Sequence, residues 1–161
     1  MDNLDFKQKL SEQEEIYPMP IFCTLTVKNV NEAIDWYKAL GFRSIFALSD
    51  PVTKELNFAH LRRHKYQDIL LVKGQSNKEN NSHGISITFQ AWTDIDSLTD
   101  TARSNGARII VEPHNTPWNT RDVVFEDKDG YNITFTYLSQ KIVQHILSDE
   151  PDKLDREFWE K

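Results

Sequence analysis

Apolar residues recur at helical spacing in two short stretches of the chain, and each stretch is followed by a glycine, Gly41 or Gly106. Spacings of three and four residues place such side chains on one face of a helix, and a glycine after the last apolar position is a common helix end. The pattern therefore predicts two amphipathic helices. Their apolar positions are Val30, Ala33, Ile34 and Tyr37 in the first, and Ile95, Leu98 and Ala102 in the second.

The two predicted helices belong to an internal repeat with a constant offset of 65 residues. The stretch VKNVNEAIDWYKALGFR, residues 27–43, aligns without gaps with WTDIDSLTDTARSNGAR, residues 92–108. Asp35 aligns with Asp100 in this register. Self-similarity at a fixed spacing indicates a duplicated structural unit. We therefore expect two modules of one fold, each of about 55 residues.

Runs of β-branched and aromatic residues predict one strand before each helix and three after it. The strands after the helices are predicted at 42–48, 56–61, 68–72, 108–111, 123–125 and 131–137. Each copy is thus strand, helix, strand, strand, strand. A four-stranded sheet with a single helix leaves one sheet face uncovered, so the two modules are expected to pair.

The repeat and the polar stretches set the expected boundaries. One domain is predicted at 18–138, and it follows an N-terminal extension at 1–17. A C-terminal extension at 139–161 is predicted to be helical, because four apolar residues there have helical spacing. Within the domain we expect module one at 20–73, a turn-rich linker at 74–84 and module two at 85–138.

Charge and composition narrow the possible partners. The net charge of −6 argues against a nucleic-acid partner, and no apolar run approaches the roughly 20 residues of a membrane helix. Residues 1–17 lack the apolar centre of a secretory signal, so we expect a cytoplasmic protein. Cys23 is the only cysteine, which excludes an internal disulfide and a cysteine-rich zinc site. Its apolar setting predicts an inert, buried thiol.

Three segments together resemble one known family. LTVKNVNEAIDWYKALGF, DIDSLTDTARSNGARI and PWNTRDVVFEDKDGYNITF are similar to the glyoxalase, bleomycin resistance protein and extradiol dioxygenase superfamily, also called the vicinal oxygen chelate fold. The resemblance covers about residues 20–138. It implies an α+β fold of two paired βαβββ modules forming a curled mixed sheet cup, here with added N- and C-terminal segments. It also implies that enzymes of the family hold a divalent metal on cup-facing positions of the first and last strands of each module.

Carrying those metal-ligand positions over to this chain gives Phe22, Leu70 and Thr134, with Ser86 or Ile87 as the fourth. Alternation favours Ser86, because Ile85, Ile87, Phe89 and Ala91 are all apolar at period two; the strand then gains an extra residue near Trp92. Neither register supplies an imidazole or a carboxylate, the groups that hold such metals. We therefore predict no metal and no other cofactor.

The remaining polar side chains suggest a binding pocket and no catalytic residue. His60 either donates a hydrogen bond into the cup or is a satisfied sheet histidine, and a metal shared with His64 is disfavoured on an extended strand. Trp118 either stacks on a planar ligand or pins its loop to the sheet. Arg121 either meets an anionic ligand group or pairs with Asp122 or Glu126. The candidate ligand-binding residues are Phe22, Thr24, His60, Leu70, Ser86, Thr88, Gln90, Trp118, Arg121 and Thr134.

These observations predict a metal-free small-molecule-binding protein, a homodimer that resembles the bleomycin resistance proteins and sequesters an antibiotic or metabolite. Two alternatives stay open. One is an enzyme, either a metal-dependent lyase or dioxygenase with unusual ligands such as His60, or a metal-free isomerase. The other is a scaffold whose cup is filled by its own side chains.

Overall fold

The computed structural model describes Met19 and residues 21–76 and 84–138. These residues fall into two compact units that divide between Gln75 and Ser76. The predicted extensions at 1–17 and 139–161, and most of the predicted linker, lie outside the described residues. The domain and module boundaries therefore stay predictions.

Each unit has the predicted order of strand, helix, strand, strand, strand, which confirms the α+β class and the βαβββ modules. Unit one contains β1 (Cys23–Val27), α1 (Val30–Ala39), β2 (Arg43–Ser49), β3 (Leu56–Arg62) and β4 (Asp68–Lys73). Unit two contains β5 (Ser86–Gln90), α2 (Ile95–Ser104), β6 (Arg108–Asn115), β7 (Thr120–Glu126) and β8 (Asn132–Leu138).

Both sheets are mixed and share one topology. In sheet one the strand order is β1-β4-β3-β2, and in sheet two it is β5-β8-β7-β6. The first and last strands of each unit pair in parallel, and the other neighbours are antiparallel. In each unit the helix connects the first strand, at one edge of the sheet, to the second strand, at the opposite edge. These two strands run in the same direction, which requires a long crossover, whereas antiparallel neighbours need only a turn.

The helices begin and end where the local sequence indicates. Asn29 accepts a hydrogen bond from the backbone N–H of Glu32 at 3.2 Å, and Asp94 accepts one from that of Ser97 at 2.8 Å. Such caps satisfy N–H groups that have no partner within the helix. At the other end Gly41 and Gly106 have φ values of +89° and +78°, which glycine adopts without a steric penalty.

Each helix packs on one face of its own sheet, and the core of each unit lies there. The alternating strand residues on that face are almost completely buried. We call the opposite sheet face the open face of its sheet. Burying one such aliphatic or aromatic side chain contributes about 1.5–3 kcal/mol, so these layers stabilise each unit. The buried strand residues are Leu25, Val27, Ala59, Leu61, Ile69 and Leu71 in unit one and Phe89, Val123, Phe125, Ile133 and Phe135 in unit two, where Ala91 is also buried just after β5.

The repeat is preserved in the structure with two one-residue changes of offset. The helices and the starts of β2 and β6 keep the offset of 65, but the first, third and fourth strands of each unit keep an offset of 64, because Thr24 pairs with Leu70 and Thr88 pairs with Thr134. The extra residue falls after β5, where Trp92 has a φ of +57°. This confirms the predicted insertion near Trp92 and makes Ser86 the counterpart of Phe22.

Several strands extend beyond their predicted limits, most of all around the loop between β6 and β7. β6 continues to Asn115 where the pattern predicted an end at Val111, and β7 begins at Thr120 where it predicted a start at Val123. The backbone N–H of Thr116 donates to the carbonyl of Thr120 at 2.8 Å, which closes a tight turn at the end of the hairpin. The two strands therefore pair right up to that turn.

Candidate functional site

Residues of neighbouring strands that pair across a sheet share one face, so the strand registers identify the side chains of each open face. On sheet one a single rung contains Thr24, Leu70, His60 and Phe46, one from each strand. The next rung contains Thr26, Val72, Phe58 and Leu48. The candidate residues Thr24, His60 and Leu70 therefore lie side by side on the open face of sheet one.

Aromatic side chains make up much of the open face of sheet one. The rings of Phe22 and His60 contact edge to face with centroids 5.5 Å apart, and those of Phe46 and Phe58 are 6.1 Å apart. Phe22 is 46% exposed, Phe46 is 52% exposed and Leu48 is 49% exposed. Exposed aromatic and aliphatic groups in contact form a surface suited to a planar apolar ligand.

A charged network crosses the same face. The Asp68 carboxylate accepts hydrogen bonds from Arg62 Nε at 2.9 Å and from Arg62 Nη2 at 2.8 Å, and it lies 2.7 Å from His60 Nε2. The Asp68 side chain is fully buried and that of His60 is 20% exposed. Burial raises the pKa of Asp68, but the hydrogen bonds from Arg62 and His60 outweigh that effect and lower it overall. Asp68 is therefore ionised at neutral pH and acts only as an acceptor.

The open face of sheet two carries hydroxyl groups instead. Ser86 Oγ and Thr134 Oγ1 are 3.2 Å apart, and Thr136 Oγ1 donates to Asp122 Oδ1 at 2.5 Å. Thr88 pairs in register with Thr134, and Gln90 pairs with Thr136. The candidates Ser86, Thr88, Gln90 and Thr134 are thus brought together, with Ser86 on the open face as the alternation predicted.

The positions that hold a metal in related enzymes do not fit one in this chain. Phe22 and Leu70 offer no ligand atom, and Ser86 and Thr134 offer only neutral hydroxyls, which are poor donors to a divalent cation. Elsewhere in the described ranges, no three His, Cys, Asp or Glu side chains lie close enough together to hold an ion. A metal shared by His60 and His64 therefore has no third ligand of these types among those residues.

Arg121 lies on the helix side of sheet two, away from the open face. Its guanidinium donates to both carboxylate oxygens of Asp96 at 2.7 Å and to the side-chain oxygen of Asn115 at 3.0 Å. The hydrogen bond from Arg121 lowers the pKa of Asp96. Sequence reasoning offered Asp122 or Glu126 as partners, and both are wrong because strand alternation points them to the opposite face.

A cleft of about 320 Å³ lies beside Arg121 in unit two. Trp118, in the turn at its edge, is 55% exposed, so most of its indole is available to solvent. Ligand contacts by Trp118 and Arg121 stay predictions. The cleft is lined by Asn115, Thr116, Asn119, Thr120, Arg121 and Tyr137.

Two further sequence interpretations can be compared with the structure. Asp127 accepts hydrogen bonds from the backbone N–H groups of Asp129 and Tyr131, and Gly130 has a φ of +87°, so this acidic segment is a turn as predicted. Cys23 has the helix-facing parity of its strand but is only partly buried. Burial raises the pKa of its thiol, which disfavours the reactive thiolate.

Comparison with known protein families is decisive for the family. The model of the Glyoxalase/Bleomycin resistance protein/Dioxygenase superfamily matches residues 21–135. The chain belongs to this superfamily. No curated protein sequence matches the chain. Within the described part of this superfamily member, no helix is long and apolar enough to cross a membrane.

Several solved structures share the fold. The fosfomycin resistance protein FosX from Listeria monocytogenes superposes with a TM-score of 0.60 at 16% identity, covering 78% of this chain and 98% of its own. TioX from Micromonospora sp. ML1 gives 0.57 at 20% identity, covering 73% and 94%. The bleomycin resistance determinant encoded on transposon Tn5 gives 0.57 at 16% identity, covering 74% and 97%. At such identities the likeness concerns the fold alone.

Sequence reasoning missed the carboxylate that holds His60. Arg62 and Asp68 pair in register across the turn between β3 and β4, and Asp68 then reaches His60 on the adjacent rung. The only signal in the sequence was the spacing of Arg62 and Asp68 across a predicted hairpin, with His60 at the same parity as Arg62.

Proposed function

We propose that this protein binds a small organic molecule on an open sheet face without a divalent metal. The observation that carries the proposal is the chemistry at the four family metal positions, Phe22, Leu70, Ser86 and Thr134. Two of these side chains are apolar, and the two hydroxyls lie 3.2 Å from each other. An aromatic surface and a row of alcohols suit van der Waals, stacking and hydrogen-bond contacts with an organic ligand.

Sequestration is the activity that these groups support best. Holding a drug or metabolite requires shape complementarity, stacking and hydrogen bonds, so sequestration does not depend on metal ligands. The bleomycin resistance determinant of Tn5 shares the fold, whereas FosX has been crystallised with Mn(II). We propose that this chain sequesters its ligand without a metal, as a homodimer in the cytoplasm. Its net charge of −6 favours a neutral or cationic ligand.

Two measurements test this function. Protein purified without a histidine tag is analysed for bound metals, and its melting temperature is measured against a broad library of antibiotics and metabolites. We expect no stoichiometric metal and at least one compound that raises the melting temperature. A specific ligand at 100 times its dissociation constant adds about 2.7 kcal/mol to the free energy of unfolding.

The opposite results identify the alternatives. Stoichiometric metal, with activity restored by zinc, nickel, manganese or iron(II), would show a metal-dependent lyase or dioxygenase with unusual ligands. A library without a single stabilising compound would favour a scaffold. The homodimer is tested separately by sedimentation, where a monomer contradicts it.

A further inference from the structure

The charged network of unit one has no counterpart in unit two, although the two sheets have the same strand register. At the offset of 64, Val124 stands in place of His60 and Asn132 in place of Asp68. Arg62 is matched by Glu126, which pairs with Arg108 on the neighbouring strand. The same pair of strands, β3 with β4 and β7 with β8, therefore forms with and without an Arg–Asp–His network, so the fold does not require it.

Such a network is not needed to stabilise a sheet, because burying charged groups opposes folding. Removing a carboxylate and a guanidinium from water carries a large desolvation cost, and well-packed apolar residues often do as well or better. Here the Asp68 side chain is fully buried and the Arg62 side chain is 10% exposed. In unit two the position of His60 is occupied by an apolar residue, Val124. A role in positioning the His60 ring accounts for the network better than stability does.

The ionised Asp68 fixes the orientation and tautomer of His60. Because the carboxylate only accepts, the hydrogen at Nε2 must be donated to it, and the neutral imidazole then presents Nδ1 as an acceptor. Within the described residues, Nδ1 of His60 has no hydrogen-bond partner. The His60 ring also contacts the Phe22 ring edge to face. The His60 side chain is 20% exposed. His60 Nδ1, an acceptor whose orientation Asp68 fixes, thus lies next to exposed aromatic groups.

We propose that His60 Nδ1 on the open face of sheet one accepts a hydrogen bond from a planar aromatic ligand that carries an N–H or O–H donor. Phe22, Phe46 and Phe58 contact the ring of that ligand, while Asp68 and Arg62 are positioning residues that act through His60. The inference rests on the proposed small-molecule function and narrows its ligand class.

The tautomer is tested first, in the ligand-free protein. In ¹⁵N-labelled protein at about pH 8, the imidazole nitrogens of His60 are assigned by correlation to the ring carbons. We expect a protonated Nε2 and an unprotonated Nδ1. In Asp68→Asn, which introduces the residue of unit two, the preference for this tautomer should weaken. A wild-type ring protonated on Nδ1 overturns the proposal.

A matched pair of probes tests recognition. Indole and benzofuran have nearly the same shape, but only indole has an N–H donor. By NMR titration we expect both to shift the signals of Phe22 and Phe58, with indole binding about three- to tenfold more tightly, the range for one net hydrogen bond. His60→Val should remove this preference and keep benzofuran binding, because Arg62 and Asp68 remain paired. His64→Val, an exposed histidine beyond the strand, should change neither.

Equal affinities in the wild type, an indole preference that survives His60→Val, or no shift of either phenylalanine would overturn the proposal. The failure of the broader function looks different. Stoichiometric metal, or a library without a stabilising compound, would contradict the proposed binding function itself. A library compound that binds His60→Val as tightly as the wild type would contradict only this inference.

Discussion

The hydroxyl groups of Ser86 and Thr134 lie 3.2 Å apart on the parallel first and last strands of unit two. The resemblance to the superfamily implies metal ligands at these two positions. The backbone brings the positions together, but the side chains here lack metal-binding groups. Among the described residues each hydroxyl has only the other as a side-chain hydrogen-bond partner, and neither oxygen carries charge.

Restoring ligand chemistry at this pair should create metal binding. In Ser86→His/Thr134→Glu, an imidazole and a carboxylate replace two neighbouring hydroxyls, so both can reach one Zn²⁺. We expect zinc to raise the melting temperature of the double variant, by an amount that follows its concentration relative to the dissociation constant. Scanning calorimetry with and without zinc measures it.

The control is Ser86→Ala/Thr134→Val, which removes both hydroxyls and should not respond to zinc. If zinc stabilises the wild type as strongly as the double variant, other groups hold a metal and the metal-free function fails.

The ion pair between Arg121 and Asp96 should fasten α2 to the sheet mainly at low salt. Both side chains are well exposed, with 34% of Arg121 and 53% of Asp96 accessible, so water and ions screen the pair. We expect Arg121→Gln and Asp96→Asn each to lower the melting temperature slightly in dilute buffer, with less than additive effects in the double variant. In about 1 M NaCl the differences should disappear. Full additivity at low salt would show that the two residues do not interact.

Much of the fold could be predicted because the signals are local. Helical spacing and the glycines after each helix predicted α1 and α2, and strict alternation before Trp92 identified the face of Ser86. Even the extra residue after β5 could be predicted. An ungapped alignment would have turned Ile87, and with it Ile85, Phe89 and Ala91, to the open face.

The side-chain partners could not be predicted, because they depend on register and helix placement. Arg121 had two acidic residues close in sequence, yet its partner Asp96 is 25 positions away on a helix that packs over the same sheet face. Asp68 reaches His60 only because β3 and β4 pair in one particular register. Such contacts follow from the assembled sheet.

The glycine after each helix should contribute equally to the two units. Gly106 has a φ of +78°, and among the described residues an added Cβ would meet no atom within 4 Å apart from its chain neighbours, so Gly106→Ala introduces backbone strain alone. The cost should be about 1–2 kcal/mol in the free energy of unfolding. Gly41→Ala should cost the same, because an added Cβ meets Arg63 Nε only at ordinary contact distance, 3.5 Å. Urea unfolding measures both.

Gly106→Asn is the matched control, since asparagine tolerates this conformation better than alanine and should lose less stability. An unchanged midpoint for Gly106→Ala would mean that the turn relaxes without strain.

Removing the carboxylate of Asp68 should destabilise unit one in a pH-dependent way. Asp68→Asn leaves the buried Arg62 guanidinium without its carboxylate, which should lower the free energy of unfolding by about 3–5 kcal/mol at neutral pH. The folded state lowers the pKa of Asp68, so its contribution is complete above the unfolded pKa of about 3.9 and is lost as pH falls through the lower folded value. The wild type and the variant should therefore differ equally at about pH 7 and 5 and converge below about pH 4.

Urea unfolding across this pH range gives the difference directly. Asp35→Asn is the control. The Asp35 carboxylate is 77% exposed and lies 3.8 Å from Lys38 Nζ, so its loss should change the free energy of unfolding little at any of these pH values. A difference between the wild type and Asp68→Asn that stays constant down to about pH 3 would mean that Asp68 is not the ionised centre of the network. In that case the tautomer of His60 would lose its physical cause, because a protonated carboxyl can donate to Nε2 as readily as accept from it.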